Sequence, residues 1–393
     1  MLFRSMLLTQ TLRVDYEELC KLDVLGLADS PSRDQGLVYD EFKEQLRRSE
    51  EGWYKTGLLW KGNHFPLPNN KKGSLRRLAS LIRKLKKNGS IDDYNAVIQE
   101  QLVEGIVERA LGSAKGREFY IPHKGVLREN AESTKLRIVY DTSARAWDGA
   151  SSLNKCLNTG SPLQNQPWSV LIRGRFNPIA ITADFKKAFL QVRIRPDERD
   201  ALRFHWLKNM ETKEVETLRF TRGLFGLGPS PFLLGGVIEQ HLDTWSPKQP
   251  EIVCEIKKNM YEDDLISGGT TVSKARETKN AATEIFADAA FELHKWHSNI
   301  AELESTETDQ TADQTFAKQQ LGTLSGGESS LLGLKWDKLR DFLSITVPTE
   351  KADNTKRGIL AKTARIYDPL GVASPLTLCG KLLYRDACNL RIG

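Results

Sequence analysis

The chain of 393 residues carries a formal net charge of +6, and 39% of its residues are hydrophobic and 27% charged. This composition is ordinary for a globular protein of two or three domains, and it permits a nucleic-acid partner without requiring one. Five scattered cysteines without a CxxC pair argue against a disulfide framework or a zinc site. No stretch approaches the roughly 18 apolar residues of a membrane span. We therefore expect no membrane partner and a reducing, cytoplasmic compartment.

Two helices are predicted in the N-terminal part, after a short helix over residues 16–27. In residues 74–87 the apolar side chains share one face and basic side chains cover the rest. That basic surface is either a solvated face or a contact with a phosphate backbone. Residues 90–110 form the second predicted helix, with Asp92 and Asp93 at its N-terminus, where acids favour the helix dipole. A bare pair of aspartates is therefore weak support for a metal site.

Strands follow after the second helix. Residues 119–126 and 135–141 are predicted strands, and the second alternates basic and apolar residues as an edge strand does. Lys135 and Arg137 are two residues apart, so they project from the same face of that strand. They are either ligands of a polyphosphate or part of a solvated strand face.

A third strand, residues 178–185, leads into the acid Asp184. An acid at the end of an apolar strand is costly unless it is used or exposed. Phe189 follows five residues later, so the acid and the ring can lie on adjoining walls of one pocket. A loop rich in glycine and proline, residues 219–232, then opens another helix. Its glycines suit either close approach of a ligand or a tight turn before a core helix.

Residues 259–269 predict a β-hairpin with the adjacent acids Asp263 and Asp264 at its tip. Adjacent carboxylates repel each other, and hard divalent cations such as Mg²⁺ neutralise them. His294 and His297 have no third ligand nearby and are interpreted as structural residues. The remaining predicted elements are a helix at 272–293, strands at 291–296, 331–337 and 342–347, and helices at 356–366 and 376–388.

The order of these elements favours a palm-like sheet. A strand ending in an acid is followed by a glycine loop and helix, an acidic hairpin, a helix and a strand. Such a sheet brings Asp184, Asp263 and Asp264 together. Three carboxylates can bind two Mg²⁺ ions about 4 Å apart for in-line phosphoryl transfer.

Short motifs follow one another along the chain: YIPH at 120–123, STKLRIVYD at 133–141, SLNKCL at 152–157, DFKKAFLQV at 184–192, SPFL at 230–233, YEDD at 261–264, KW at 295–296, GLKW at 333–336 and ARIYDPLG at 364–371. In these motifs the chain resembles the reverse transcriptase region of a Pao/BEL-type LTR retrotransposon polyprotein, from about residue 50 to residue 393.

The resemblance implies an α+β right-hand polymerase fold. Its parts are fingers, a palm built on a ferredoxin-like (RRM-like) sheet, and a thumb, preceded by a helical N-terminal segment. The implied divisions are a linker after an upstream protease region at 1–50, a helical segment leading into the fingers at 51–115, fingers at 116–175, a palm with interleaved fingers elements at 176–320, and a primer grip with thumb or connection at 321–393. We expect the chain to be a fragment, a truncated element or a processed piece.

The resemblance also implies the roles of individual residues. The implied catalytic residues are Asp184, Asp263 and Asp264, which hold the metal ions with the help of the Phe185 carbonyl. Phe189 is the ring implied to exclude a ribose 2′-hydroxyl. The implied nucleotide-binding residues are Lys124, Lys135, Arg137, Phe189, Phe225, Gly226 and Lys295, and the implied primer grip is Gly333, Leu334, Lys335 and Trp336.

The implied function is that of an RNA-directed DNA polymerase. Its implied substrates are a primed RNA or DNA template and deoxynucleoside triphosphates, and its implied cofactors are two Mg²⁺ ions, with Mn²⁺ as a substitute. The implied location is a cytoplasmic retroelement particle. The resemblance leaves the oligomeric state of the chain open. Two residues depart from the pattern: Phe225 stands where related retroviral enzymes often have glutamine, and Glu262 where the family usually has a small or apolar residue. The extra carboxylate leaves open a catalytically decayed nucleic-acid-binding remnant. An RNA-dependent RNA polymerase is disfavoured because Phe189 would clash with a 2′-hydroxyl.

Overall fold

A computed structural model of the chain describes residues 33–62, 67–127, 136–304 and 328–390. Its helices are α1 (Arg33–Gln45), α2 (Lys71–Lys87), α3 (Ile91–Val103), α4 (Leu153–Cys156), α5 (Pro167–Gly174), α6 (Ser230–Trp245), α7 (Pro250–Asn259), α8 (Val272–Asp288), α9 (Lys356–Ala364) and α10 (Ser374–Asn389). Its strands are β1 (Arg47–Arg48), β2 (Tyr54–Thr56), β3 (Val107–Arg109), β4 (His123–Leu127), β5 (Leu136–Tyr140), β6 (Ile179–Phe185), β7 (Arg193–Ile194), β8 (Arg203–Leu207), β9 (Val215–Phe220), β10 (Met260–Tyr261), β11 (Asp264–Gly269), β12 (Leu293–Ser298), β13 (Glu328–Leu331), β14 (Leu334–Asp337) and β15 (Phe342–Ser344).

A four-stranded antiparallel sheet with the strand order β10-β11-β6-β12 carries the candidate site. Alternate residues of its central strand β6 face opposite sides, as the pleat requires. Ile181 and Ala183 lie in the main hydrophobic core, on the side where α8 packs. Ala180 lies in a second core together with Leu171 of α5 and Trp336 of β14. Because both faces are covered, β6 is apolar up to its acid except for the buried Thr182.

Smaller sheets pack around this one within the described ranges. Strands β3, β9 and β8 form an antiparallel sheet, β4 pairs with β5 in a hairpin, β1 and β2 join β7, and β13, β14 and β15 form a meander. Helix α2 packs against β8, and α3 packs against β3 and β5. None of the helices in the described part of the chain is both long enough and apolar enough to cross a membrane.

A cluster of buried rings joins the β4–β5 hairpin to the β3-β9-β8 sheet. The Tyr94 ring stacks on Trp206 with centroids 4.8 Å apart. His123 lies 2.5 Å from the Tyr94 hydroxyl through Nδ1 and 2.9 Å from the His205 carbonyl oxygen through Nε2. Burial lowers the pKa of His123 to about 4, so this ring is neutral near pH 7. Contacts between uncharged rings therefore hold the β4–β5 hairpin against the β3-β9-β8 sheet.

Several predicted boundaries were wrong for local reasons. The helix predicted over residues 90–110 ends at Val103, because Gly105 adopts φ +65° and the chain then enters β3. The helix predicted to reach residue 293 ends at Asp288, since Ala290 has φ +57° and β12 begins at Leu293. The strand predicted from residue 119 starts only at His123. The helix predicted at 16–27 lies outside the described residues.

A buried ion-pair network fixes the start of β8. Asp200 and Arg203 are each only 4% exposed. Oδ1 of Asp200 accepts hydrogen bonds from Arg203 Nη2 at 2.9 Å and from Arg219 Nη1 at 2.7 Å. Burial by itself raises the pKa of this carboxyl, but a hydrogen bond from the Lys115 N–H and those from the two arginines outweigh it and leave the pKa below its usual value.

We predict that Asp200→Asn destabilises the fold by about 3–5 kcal/mol, because it removes the buried counter-charge of the Arg203 guanidinium and leaves the partly exposed Glu118, 3.3 Å from Arg203 Nη1, to balance it. The control Asp197→Asn removes an exposed partner of Arg195 and should cost less than about 1 kcal/mol. Urea unfolding measures both. Because the pKa of Asp200 is depressed in the fold, its stabilisation is present above the ordinary aspartate value of about 3.9 and is lost as pH falls further. If the difference in unfolding free energy between wild type and Asp200→Asn grew as the pH is lowered, this assignment would be contradicted.

Candidate active site

A row of polar side chains crosses the four-stranded sheet. Tyr261 of β10 lies opposite Asp264 of β11, Asp264 lies opposite Asp184 of β6, and Asp184 lies opposite His294 of β12. Residues directly opposite each other in antiparallel strands have Cβ atoms about 4.5–5.5 Å apart on the same face. The two carboxylates are therefore neighbours by backbone pairing, although they are 80 residues apart in sequence (264 − 184).

The acidic hairpin is present, but its tip is displaced by one residue from the prediction. Because Tyr261 pairs with Asp264, the two turn residues are Glu262 and Asp263. Glu262 has φ +52°, as the first central residue of a type II′ turn requires. The backbone N–H of Phe185 donates to the Asp263 carbonyl oxygen at 2.9 Å. This bond fixes the turn against the end of β6, beside Asp184.

Two cationic or basic side chains contact the buried Asp184. Its side chain is only 9% exposed, and Nε2 of His294 lies 2.5 Å from Oδ1. Nζ of Lys295 lies 3.6 Å from Oδ2. A carboxylate taken out of water is stabilised when opposite charge and hydrogen-bond donors lie this close. Lys295, predicted to bind nucleotide, thus contacts a predicted catalytic acid.

His294 lies against a predicted catalytic acid, a contact that the interpretation of this residue as structural did not include. The register of β12 against β6 is interrupted between His294 and His297, and Lys295 has φ +50°. This irregularity turns both His294 and Lys295 toward Asp184, whereas regular alternation would direct them to opposite faces. A bulge of this kind left no pattern in the sequence that would have identified the contact.

The donor set suits a hard divalent cation. Asp263 and Asp264 are partly exposed and Asp184 is buried beside them, and carboxylate oxygens are the ligands that Mg²⁺ prefers. Within the described ranges, however, no three His, Cys, Asp or Glu side chains converge closely enough to form a metal-binding group. Three like charges repel one another, and Asp184 is drawn toward His294 and Lys295 instead. The acids are adjacent, but their carboxylates are not gathered around one point.

Glu262 adds a fourth carboxylate at the hairpin tip. Its side chain is exposed, and Oε1 accepts a hydrogen bond from Gln164 Nε2 at 3.4 Å. The surrounding protein atoms, and after them the charge of Asp264, raise the pKa of Glu262. This residue therefore contributes to the electrostatics of the acidic hairpin.

Three predicted nucleotide-binding side chains form a contiguous surface, which we call the ring wall: Arg137, Phe225 and Phe189. The Arg137 guanidinium lies 5.0 Å from the centre of the Phe225 ring. The Phe225 ring meets Phe189 edge to face at 4.6 Å. Phe225 is 40% exposed and Phe189 only 8%. Residues from three separate segments therefore come together here.

Gly226 must be glycine in this arrangement. Its φ is +89°, and a Cβ there would lie 3.1 Å from the Tyr140 carbonyl oxygen. The Gly226 carbonyl accepts hydrogen bonds from the Thr142 hydroxyl and from Asn154 Nδ2, the latter at 2.9 Å. Asn154 Oδ1 in turn accepts from the Gly228 N–H at 2.8 Å. Asn154 thus holds the glycine loop through two hydrogen bonds. This role was not predicted from the sequence, although the SLNKCL motif that contains Asn154 was recognised.

The other predicted contacts lie farther out. Lys124 is exposed on the same outer face of the β4–β5 hairpin as Arg137, because Lys124 pairs with Val139 and Arg137 with Val126. Lys135 lies outside the described residues. Contact of Lys124 and Lys135 with a nucleotide therefore stays a prediction.

The predicted primer grip divides into a turn and a buried pair. Leu332 (φ +43°) and Gly333 (φ +85°) form the turn between β13 and β14. Leu334 and Trp336 are 2% and 1% exposed, so their side chains do not reach a primer and instead anchor the turn in the second core. Only Gly333 and the partly exposed Lys335 remain candidates for primer contact.

A pocket of about 120 Å³ connects the ring wall to the hairpin. Phe189 and Glu262 both line it, together with Gln164, Leu234 and Met260. The predicted nucleotide-binding and catalytic segments therefore border one common space.

Comparisons with known proteins give similarities to a family model and to a solved structure. A family model described as the Pao retrotransposon-like RNaseH-like domain matches residues 355–393. A solved structure of the foamy viral protease-reverse transcriptase in complex with an RNA/DNA hybrid matches with a TM-score of 0.50 and 14% identity. That match covers 92% of this chain and 39% of the foamy viral chain. Curated proteins give no match.

The solved structure shows that this chain has the fold of a retroviral reverse transcriptase. The family match adds the Pao assignment at the C-terminal end. Together they confirm the resemblance to the reverse transcriptase region of a Pao/BEL-type retrotransposon polyprotein.

We predict that Asn154→Ala loosens the glycine loop without unfolding the protein. Two hydrogen bonds to the loop are lost, each worth about 1 kcal/mol. Amide hydrogen exchange at Gly228 should accelerate about tenfold or more, since its acceptor is removed. The control Asn158→Ala removes a weak 3.5 Å bond to the Trp60 carbonyl and should leave Gly228 unchanged. Unaltered exchange in Asn154→Ala would mean that the loop is held by other contacts.

Proposed function

We propose that this chain, from the reverse transcriptase region of a Pao/BEL-type element, is an RNA-directed DNA polymerase that extends a primer by nucleotidyl transfer. One observation carries the proposal: Asp184 and Asp264 are paired across β6 and β11, and the hydrogen bond from Phe185 fixes Asp263 beside them. The fold shared with a retroviral reverse transcriptase supports it. That relative is bound to an RNA/DNA hybrid, and we propose a primed template as the partner of this chain.

In this proposal the four-stranded sheet with helices α6, α7 and α8 is the palm. The β4–β5 hairpin and the β3-β9-β8 sheet belong to the fingers, and α9 and α10 belong to the thumb or connection. The β13–β14 turn lies beside the palm because Trp336 and Leu334 share a core with β6 and α5. The primer terminus would then lie between this turn and the acidic hairpin.

Asp184, Asp263 and Asp264 would hold the divalent cations, with the Phe185 carbonyl as a further ligand. Two bound Mg²⁺ or Mn²⁺ ions supply charge neutralisation and activation of a hydroxyl nucleophile. His294 and Lys295 orient Asp184, because both lie against its oxygens. Lys295 also balances part of the negative charge of the site.

The ring wall would receive the incoming deoxynucleoside triphosphate. Arg137 offers its guanidinium to the phosphates, and Lys124 adds positive charge from the same hairpin. Lys135, which lies outside the described residues, is proposed as a further phosphate ligand. Phe225 replaces a hydrogen-bonding side chain with a ring, so its contribution is packing. Phe189 restricts the space beside a sugar C2′, and Gly226 lets the ligand approach the loop backbone.

A catalytically decayed nucleic-acid-binding protein is the second candidate, and Glu262 is the observation that favours it. Its carboxylate lines the same pocket as Phe189 and lies next to the metal-binding acids. Added negative charge at this point can displace a triphosphate or alter metal binding. The RNaseH-like description of the family match raises hydrolysis of the RNA strand as a further activity to monitor.

We predict that the wild-type chain extends a primer on an RNA template with deoxynucleotides in Mg²⁺ or Mn²⁺, and extends it poorly with ribonucleotides. Asp263→Asn should reduce extension by about 10³-fold or more, because it would weaken the binding of the divalent cations whose positive charge stabilises the transition state. Asp92→Asn, in the acid pair at the start of α3, is the matched control and should retain activity. Product gels report both extension and RNA cleavage. No wild-type product would eliminate the polymerase proposal, and full activity in Asp263→Asn would eliminate the site.

We further predict that Glu262→Gln raises extension in Mg²⁺ about two- to tenfold, because it removes the extra charge while keeping a side chain that tolerates the turn. Glu251→Gln, at the exposed start of α7, serves as the charge control. The rate at saturating and limiting nucleotide separates an effect on turnover from one on nucleotide affinity. An unchanged rate would show that the hairpin tolerates Glu262.

A further inference from the structure

Helix α2 carries a basic surface that the candidate site does not use. Of its 17 residues, eight are Lys or Arg and none is acidic. Its buried residues are Ser74, Leu78, Leu81 and Leu85, which share one face. At 100° per residue, Lys72, Arg76, Arg83 and Lys87 fall on the opposite face. We call these four residues the basic stripe.

The basic stripe is exposed and carries little compensating charge. All four side chains are solvent-exposed. Among the described residues, no ion pair neutralises any of them, and Arg83 only donates a hydrogen bond to Ser80 at 3.2 Å. Ala79 and Ser80 lie between the two halves of the stripe, so small side chains leave room for a backbone there. Four unpaired cations in a line form a surface that attracts a polyanion.

The helix is attached directly to the segments that form the ring wall. Arg77, on the flank of α2, forms an ion pair with Asp141 at 3.1 Å. Asp141 directly follows β5, and its neighbour Thr142 donates a hydrogen bond to the Gly226 carbonyl. At its N-terminal end, Asn70 exchanges two hydrogen bonds with the Tyr120 backbone, at 2.6 and 2.9 Å. The basic stripe therefore has a defined position relative to the glycine loop.

The dimensions suit a nucleic-acid single strand. From Lys72 to Lys87 the stripe extends about 22 Å at 1.5 Å per residue. A strand that keeps the spacing it has in a duplex, about 3.4 Å per nucleotide, covers that length with about six nucleotides. A flat row of lysine and arginine without exposed aromatic rings recognises phosphates and not bases.

We infer that the basic stripe of α2 binds the phosphate backbone of the single-stranded template before it enters the active site. This inference rests on the proposed polymerase function, because it needs a template that continues beyond the primed duplex. The contact is independent of base sequence. Its effect is to hold the unpaired template strand beside the glycine loop.

Binding without turnover tests the inference. A blunt primer–template duplex is compared with the same duplex bearing a 5′ template overhang of about eight nucleotides, enough to cover the stripe. Fluorescence anisotropy is recorded in chelator without nucleotides, so that no catalytic step contributes. The wild type should bind the overhang duplex about tenfold or more tightly than the blunt one near 0.1 M salt.

The variant K72Q/R76Q/R83Q/K87Q should lose this advantage and bind the blunt duplex as the wild type does. For single strands each phosphate contact contributes about 0.7 to the slope of log K against log salt, so the slope should decrease by about 2–3. The control replaces four other exposed lysines by glutamine and should retain the overhang advantage: Lys213, Lys248, Lys258 and Lys351. Thermal unfolding checks that both variants are folded.

Four outcomes would overturn the inference. They are an overhang advantage that survives in the stripe variant, equal loss for blunt and overhang duplexes, no advantage in the wild type, and stripe-dependent binding to phosphatidylserine vesicles with the overhang advantage intact. If the wild type binds neither duplex, the proposed function fails as well. If it extends primers normally but shows no overhang advantage, only the inference about α2 fails.

Discussion

The pairing of β6 with β11 is the constraint on which the candidate site depends. It places two acidic residues side by side where the sheet meets solvent, and the hydrogen bond from Phe185 to the Asp263 carbonyl adds the third. Like charges at this distance oppose folding, so the surroundings must compensate. The bulge in β12 provides that compensation, since it directs both His294 and Lys295 to Asp184. The strands on the two sides of β6 therefore have complementary effects: β11 brings the acids together, and β12 supplies the side chains that offset their repulsion.

The residues of the candidate site come from separate structural elements of the fold. The acids come from the central sheet, Arg137 from a separate hairpin, and Phe225 from the loop before α6. Asn154, the buried rings around His123 and the edge-to-face contact of Phe189 with Phe225 help to hold these parts in register. Neutral contacts are suited to this task, because they set distances without adding charge near a phosphate site.

Much of this arrangement was predictable from local pattern. The apolar run before Asp184 identified β6, because a strand covered on both faces needs continuous apolar residues. The hairpin around Asp263 was predicted from its flanking apolar residues and glycines, and α6 from the glycine- and proline-rich loop before it. The local pattern did not indicate which two residues form the turn of this hairpin. Register is decided by pairing with β6, and Tyr261 opposite Asp264 moved the tip to Glu262 and Asp263.

The contacts made across long sequence separations were the ones that prediction missed. His294 reaches Asp184 because of a bulge, and Asn154 reaches the glycine loop from 72 residues away. Leu334 and Trp336 were assigned to a primer contact by motif, but they are buried because β14 packs on the sheet. In each case the residue type was informative and the tertiary environment decided its use.

The glycine at position 333 has a consequence for how the C-terminal helices relate to the rest of the molecule. The Tyr367 ring lies so close that a Cβ at Gly333 would be 2.9 Å from it, and the Tyr261 side chain packs against the same second core. Tyr367, from the segment that matches the Pao family, therefore lies against the β13–β14 turn, and Tyr261, on the strand beside the acids, packs against the core in which that turn is anchored. A displacement of the C-terminal segment would be transmitted mechanically to the place where the primer end is proposed to lie.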